Sequence, residues 1–283
     1  MRKDGRRVKH GDPMYTVVPH IMVDRCDSMN MIELFLPVEP MNKYIREKRE
    51  EGISISHLAL VIAAYVRAVA EYPVLNRFIV NRKIYARKGI QVGMVVLKPG
   101  SDEHTMNKMH FIPEDDVFEV NRKLVSYVEE NRKPGEQNST DGMINFLCSI
   151  PGLMRFAVGT LRFLDKHNLL PASVIDLSPF HASMTITNLG RIRTNHIYHH
   201  IYNFGTTSQL ISMGNLREVP RRDGNGGITF DRCLPLGVVM DERIADGITY
   251  ATAFKRIQAY LKDPHLMEGE PKVCIREWEN KNI

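Results

Sequence analysis

Glu242 and Asp246 stand four positions apart in Asp241-Glu242-Arg243-Ile244-Ala245-Asp246-Gly247, directly before a helix-like run that starts at Ile248. A carboxylate in such a turn can accept a proton, although an unperturbed glutamate, with a pKa near ~4.3, is about two units less basic than imidazole. Burial against apolar walls can raise the pKa of a glutamate to about 6–7 and restore its basicity. Glu242 could therefore take part in acid–base chemistry. Alternatively, Glu242 is a surface or salt-bridged residue in a site without catalytic activity.

His196, His199 and His200 form the densest histidine cluster of the chain. Imidazole is a common metal ligand, but no acidic or thiol side chain adjoins these residues, and strand alternation would send His199 and His200 to opposite faces. No metal site is expected. From the residues alone, these histidines are interpreted as packing or hydrogen-bonding side chains.

Several short motifs follow one another in a consistent order: Tyr72 to Asn76, Ile84-Tyr85, Ile90 to Gly93, Thr185 to Gly190, Tyr198 to Asn203 and Ile211 to Gly214. Together with the segment around Asp246-Gly247, they resemble the chloramphenicol acetyltransferase and dihydrolipoamide acyltransferase families over roughly residues 14–265. Each motif is weak alone, whereas their common order and spacing are specific. The sequence departs from the families' HxxxDG signature at one position, where Glu242 replaces the histidine.

The resemblance implies a two-layer α/β sandwich, a mixed β-sheet with helices on one face, built as a homotrimer. It also implies transfer of an acyl group between coenzyme A and a small thiol or hydroxyl acceptor in a channel between subunits. Coenzyme A or acyl-CoA would then be a substrate. A lipoyl domain, a peripheral-subunit-binding domain and their linkers are not expected.

The same resemblance suggests roles for individual residues. Glu242 takes the place of the base, and Thr187 supplies the oxyanion-stabilising hydroxyl from the neighbouring subunit. The substrate channel would be lined by Asn203, Asn188 and Tyr198. His199 or His200 borders this channel and could replace the missing base.

Two further residues have structural roles in this interpretation. Asp246, which the families' catalytic turn contains, would form an ion pair with Arg25. Gly247 would let the last helix begin against the neighbouring strand without a side chain. Because loss of a buried partner is costly, replacement of Asp246 is expected to destabilise the protein more than replacement of Glu242.

Composition restricts the other function classes. The 283 residues, 43% of them hydrophobic, suffice for one domain over 14–265, flanked by a basic N-terminal tail over 1–13 and a C-terminal tail over 266–283. The net charge of +5 is scattered, so the tail is interpreted as solubilising and nucleic-acid binding is not expected. The four cysteines form no CxxC pair, which favours reduced thiols. No apolar stretch indicates a transmembrane segment or signal peptide, so a cytoplasmic protein is expected.

The expected elements follow from periodicity and capping residues. Residues 14–40 should be β-rich, and a polar loop is expected at 133–142. Expected helices cover about 40–51, 54–71 with Ser54 or Ser56 as N-cap, 113–131, 151–170 and 245–261. Expected strands cover about 32–38, 78–86, 90–97, 183–188, 209–214, 228–230 and 234–240. The apolar helix at 151–170 would pack within the trimer or, alternatively, contact a membrane surface.

Two functions remain open from the sequence. The first is an acyl-CoA-dependent acyltransferase homologue whose activity is altered or lost through the change to Glu242. The second is a non-catalytic trimeric binding or scaffold protein. An open channel lined by Thr187 and a histidine would favour the enzyme, and a plugged channel the scaffold.

We expect a homotrimer in solution, because the implied site is divided between subunits and the apolar helix at 151–170 needs a surface to cover it. Light scattering at micromolar concentration measures this directly, and a monomer under those conditions would contradict it.

Overall fold

The computed structural model describes residues 2–9, 12–97, 104–132 and 149–280, and the loop expected at 133–142 lies outside these ranges. The helices are α1 (Met14–Ile21), α2 (Glu39–Glu50), α3 (His57–Glu71), α4 (Val117–Arg132), α5 (Leu153–Lys166), α6 (Ala172–Leu177) and α7 (Gly247–Lys262). The strands are β1 (Gly5–Arg7), β2 (Met29–Pro37), β3 (Arg77–Val80), β4 (Lys83–Arg87), β5 (Ile90–Leu97), β6 (His104–Phe111), β7 (Met184–Asn188), β8 (Gln209–Met213), β9 (Arg217–Arg222) and β10 (Ile228–Asp241).

Seven strands form a mixed sheet in the order β2-β10-β8-β7-β5-β6, with β9 paired to β10. The pairs β5–β7 and β7–β8 are parallel, and the other pairs are antiparallel. A separate three-stranded sheet has the order β1-β4-β3. The expected α/β fold with a mixed sheet is therefore confirmed.

Helix α3 is the centre of the helical layer. Ser56 caps its first turn by accepting a hydrogen bond from the backbone N–H of Ala59 at 3.1 Å, as predicted. All residues from 59 to 70 are buried, and the helix packs against α4 and α7. This position explains why its sequence is apolar on nearly every side.

Side-chain alternation on β10 separates the two faces of the sheet. Leu236, Val238 and Met240 join the large core under the helices. Val239 points to the opposite face, where it packs with Ile201 and Leu210 in a small cluster. The two faces of the sheet are therefore covered by different parts of the chain.

The second face is covered by the segment from 189 to 208, which crosses β8 and β10. A Cβ atom at Gly214 would lie 2.3 Å from the backbone nitrogen of His196, and one at Gly237 would lie 2.4 Å from the carbonyl oxygen of Ile197. Both positions require glycine because the backbone of the crossing segment lies directly on the strands.

Residues 2–8 are packed on the domain, so the interpretation of the N-terminal segment as a solubilising tail is wrong for these residues. Arg2 is buried, and its guanidinium binds Asp4 at 2.6 Å and Asp165 at 2.8 Å. Residues 5–7 form β1 on β4. The charge of Arg2 is instead neutralised by Asp4, two residues away, and by Asp165, which is distant in sequence.

The C-terminal segment from 266 is also packed on the domain. Met267 is fully buried, and its carbonyl oxygen accepts a hydrogen bond from Arg67 at 2.8 Å. Glu277 accepts from Nε of Arg77 at 2.9 Å. The described part of the expected C-terminal tail is therefore anchored to the domain at Met267 and Glu277.

Other differences concern local elements. Residues 14–21 form helix α1 where β-rich structure was expected, and 228–241 form one continuous strand. Strands β6 and β9 and the short helix α6 were not predicted. Helix α5 is shorter than expected, and Phe156 and Phe163 on it are exposed. Within the described ranges, no helix is long and apolar enough to cross a membrane.

Replacement of Arg2 by alanine should lower the free energy of unfolding by about 3–5 kcal/mol, because it leaves buried carboxylates without their main partner. Arg7, exposed on the same segment, provides a matched Arg→Ala control that should change stability by no more than about 0.5 kcal/mol. Urea unfolding of both variants measures the difference. Equal losses would contradict the ionic anchoring of this segment.

Candidate active site

Asp241, the last residue of β10, is fully buried between two arginines. Its carboxylate accepts hydrogen bonds from Nε and Nη2 of Arg243 at 2.8 and 2.7 Å. Nε of Arg25 lies 3.5 Å away, and the hydroxyl of Ser28 donates at 3.1 Å. We call Asp241, Arg25, Arg243 and Ser28 the Asp241 cluster.

The two arginines also bind backbone carbonyls of other segments of the chain. Arg25 donates to the carbonyls of Tyr202 at 2.8 Å and Gly205 at 3.0 Å. Arg243 donates to those of Met22 and Val23 at 3.2 and 3.0 Å. Burial lowers the pKa of Arg25, and the neighbouring Asp241 carboxylate opposes this shift. The cluster thus fixes the chain entering β2 and the end of the crossing segment.

The predicted ion pair between Asp246 and Arg25 is wrong. Asp246 is exposed and caps α7, where its carboxylate accepts a hydrogen bond from the backbone N–H of Thr249 at 2.7 Å. This hydrogen bond lowers the pKa of Asp246. Asp241 is the last residue of β10 and is buried, whereas Asp246 lies beyond the end of the strand and is exposed. A carboxylate is then better placed at the helix N-terminus.

The predicted role of Gly247 is also wrong. A Cβ atom at this position would meet no described atom within 4 Å. The start of α7 is therefore not pressed against a neighbouring strand, and the glycine is not required there by close packing.

Glu242 is half-buried between Asp241 and Arg243. Its backbone N–H donates to the carbonyl of Ser28 at 2.9 Å. Its Oε2 accepts from the side-chain amide of Asn30 at 2.6 Å. Asn30 stands opposite Met240, whose side chain faces the helices. The Glu242 carboxylate is therefore held towards the helical side of the sheet.

Thr187 is half-buried near the end of β7, opposite Ser212 of β8. Its neighbour Ile186 points into the core under the helices, so alternation directs Thr187 to the second face. The Ser212 hydroxyl accepts a hydrogen bond from the backbone N–H of Ile197 on that face, at 3.0 Å. Thr187 and Glu242 thus belong to opposite faces.

The two residues are also far apart within one chain. Ser212 stands opposite Gly237, and Glu242 follows Gly237 by five residues along β10. With a rise of about 3.3 Å per residue and about 4.8 Å between strands, Thr187 and Glu242 lie about 19 Å apart. A base and an oxyanion donor must both come within about 3 Å of the reacting group. One chain cannot bring these two side chains together.

The histidine segment lies on the second face. The backbone N–H of Ile201 donates to the sulfur of Met29 at 3.2 Å, and Met29 stands opposite Asp241. The rings of His199 and His200 stack with their centroids 4.8 Å apart. The prediction that they point to opposite faces is wrong, because this segment is not a strand. His196 is separate, with Nε2 3.0 Å from Glu33.

The remaining predicted residues lie along the same crossing segment and its start. Asn203 accepts hydrogen bonds from the backbone N–H groups of Arg25 at 2.8 Å and Cys26 at 3.2 Å. Tyr198 is exposed and meets His196 edge to face at 5.9 Å. Asn188 is exposed at the end of β7. Of these three, Asn203 is the one held close to the Asp241 cluster.

Comparison with known proteins supports the acyltransferase interpretation. Residues 179–268 match the family model of the 2-oxoacid dehydrogenases acyltransferase (catalytic domain). This region contains β7, β8, β9, β10 and α7, and both Thr187 and Glu242 lie in it. The predicted family resemblance is confirmed.

Solved structures show the same fold over nearly the whole chain. A probable dihydrolipoamide acetyltransferase from Listeria monocytogenes is 14% identical, with a TM-score of 0.57 over 91% of this chain and 94% of that chain. The dihydrolipoamide acetyltransferase of Azotobacter vinelandii is 14% identical, with a TM-score of 0.59 over 92% and 94%. A chloramphenicol acetyltransferase is 9% identical, with a TM-score of 0.56 over 91% and 99%. No curated protein sequence matches the chain. At these identities, the acyltransferase architecture is what is shared.

Sequence reasoning missed Asp241, Arg243, Ser28 and Asn30, which surround Glu242 in this acyltransferase fold. One signal was available. Asp241 directly follows the uninterrupted apolar run from Leu234 to Met240, and a carboxylate that continues a buried strand requires a buried cation. The identity of that cation depends on tertiary structure.

Replacement of Asp241 by alanine should destabilise the protein by about 3–5 kcal/mol, since it leaves two buried arginines without a carboxylate. Asp246→Ala should cost only about 0.5–2 kcal/mol, the usual effect of losing an N-cap. Chemical denaturation of the two variants compares them directly. A loss for Asp246→Ala as large as that for Asp241→Ala would show that the cluster is not the main ionic anchor.

Proposed function

We propose that the protein is an acyl-CoA-dependent acyltransferase homologue of the 2-oxoacid dehydrogenase type, acting on a small thiol or hydroxyl acceptor in the cytoplasm. In this proposal its activity is reduced or lost through Glu242. The main support is the position of Glu242, which follows β10 and precedes the helix cap inside a region that matches the family. The Asp241 cluster holds its backbone in place.

The proposed reaction needs a base and an oxyanion donor. The base takes the proton of the acceptor thiol or hydroxyl as its sulfur or oxygen attacks the thioester carbonyl. The tetrahedral oxyanion then collapses, the carbon–sulfur bond breaks, and the coenzyme A thiolate takes up a proton. A glutamate is about two pKa units weaker as a base than a histidine, and after it takes the proton it is neutral, so it lacks the positive charge with which a protonated histidine would stabilise the oxyanion. Slow turnover is the expected consequence.

The separation of Thr187 and Glu242 supports a site shared between chains. Because these residues lie about 19 Å apart and on opposite faces of one sheet, only a second copy can supply the hydroxyl that faces Glu242. A homotrimer provides such a neighbour for every chain. The trimer is thus part of the proposed mechanism.

Replacement of Glu242 by histidine should raise coenzyme A-dependent acyl transfer or thioester hydrolysis at least about tenfold, a small share of the ~10²–10⁴ that a general base contributes. The measurement follows thiol release from acetyl-CoA near pH 7 for wild type and variant. Glu242→Gln, which removes the charge without adding a base, is the matched control and should not reproduce the gain.

Mixed oligomers test whether the site is shared. Chains carrying both Glu242→His and Thr187→Val should be inactive alone, because base and oxyanion donor stabilise one transition state. Co-assembly with wild-type chains should restore activity, since the new histidine then faces an intact Thr187. No activity in the mixture or in Glu242→His would favour the non-catalytic binding or scaffold protein. An active wild type that Glu242→His inactivates would identify Glu242 itself as the base.

A further inference from the structure

A cavity of about 580 Å³ lies beside the Asp241 cluster, away from the Glu242 carboxylate. Its lining comes from four segments and one single residue: 23–25, the β3–β4 turn at 79–82, the last turn and a half of α5, residues 203–205, and Arg243. Ligand cavities typically occupy about 300–1,000 Å³. This one therefore has room for a small organic molecule.

The charge of the lining is strongly positive. Five cationic side chains line the cavity: Arg25, Arg82, Arg162, Lys166 and Arg243. Its two acidic side chains are Asp24, which is exposed, and Asp165, which is bound by Arg2 at 2.8 Å. The buried pair Arg25 and Arg243 shares the single carboxylate of Asp241. The floor of the cavity thus retains one positive charge, in surroundings where charges are weakly screened.

The rim supplies three more cations that are available to a ligand. Arg82, Arg162 and Lys166 are exposed, and in the described parts of the chain none of them has an ion-pair partner. Arg162 and Lys166 stand four residues apart on α5, so their side chains project from the same face of the helix. Both line the cavity from that face.

Arg82 sits at the cavity in a conformation that costs energy. It is the second residue of the two-residue turn between β3 and β4, with φ of 60° after Asn81 with φ of 47°. Glycine is the usual residue at this position, because a side chain in the left-handed region is strained. An arginine here places a cation at the rim of the cavity but makes the turn less stable than glycine would. This indicates a role for Arg82 other than stability.

We propose that this cavity binds a small anion carrying two or more charges, on phosphate or carboxylate groups. The guanidinium groups of Arg82 and Arg162 can pair with such oxygens in a bidentate manner, and Lys166 adds a third positive donor. Ile79, Val80 and Phe204 form an apolar wall for the organic part of the molecule. Neither Glu242 nor Thr187 lines this cavity, whereas Asn203, which the family resemblance assigns to the substrate channel, does.

Isothermal titration calorimetry with inorganic pyrophosphate and, separately, citrate tests the proposal on the full chain. At least one should bind with a Kd below about 1 mM, and binding should weaken as salt rises. Arg162→Gln combined with Lys166→Gln should weaken binding about tenfold or more. Arg155→Gln combined with Arg222→Gln removes the same charge from exposed positions outside the cavity and should leave the Kd unchanged.

The variant Arg82→Gly separates binding from folding. It relieves the left-handed arginine, so the melting temperature should not fall, while the loss of the cation should weaken binding. Preference for pyrophosphate would indicate a phosphate ligand, and preference for citrate a carboxylate. Absence of millimolar binding by both anions would overturn the proposal. Equal affinities for wild type and the double variant in the cavity would also overturn it, since binding would then be located elsewhere.

Discussion

The structure depends on one buried carboxylate, Asp241, which two buried arginines share. Through them it joins the end of β10 to the residues that follow α1, to the turn into β2 and to residues 202–205. The carbonyl of Asp241 also accepts the hydroxyl of Tyr250, which attaches helix α7. Such a cluster is costly to bury and more costly to break, so each member requires the others.

This arrangement separates the fold from the chemistry. Glu242 lies between Asp241 and Arg243, so its backbone position is set by its neighbours whatever its own side chain is. The contact that its carboxylate makes, with Asn30, lies outside the cluster. A change of residue at position 242 can therefore alter the chemistry of the site while the surrounding backbone keeps the acyltransferase arrangement.

Much of the fold could be predicted because the relevant signals are local. Ser56 caps α3 as its sequence indicates, and the ordered motifs identify the sheet. The errors concern partners in space. Local sequence shows that Arg2 and Arg25 are charged but not that Asp165 and Asp241 meet them. The predicted orientations of His199 and His200 were wrong because these residues lie in an irregular segment, which Gly214 and Gly237 allow to pack directly on the strands.

The sheet also limits how a shared site can be built. Glu242 follows β10 beside the edge strand β2 and is held towards the helices, whereas Thr187 lies on the internal strand β7 and faces the other way. A two-fold interface uses the same patch on both chains and would have to include both residues in one surface. Because Glu242 and Thr187 lie far apart and on opposite faces of the sheet, a two-fold interface that includes both is disfavoured. The proposed shared site would instead need a head-to-tail contact between the surface around Glu242 of one chain and the surface around Thr187 of the next, and closed rings such as a trimer arise from contacts of that kind.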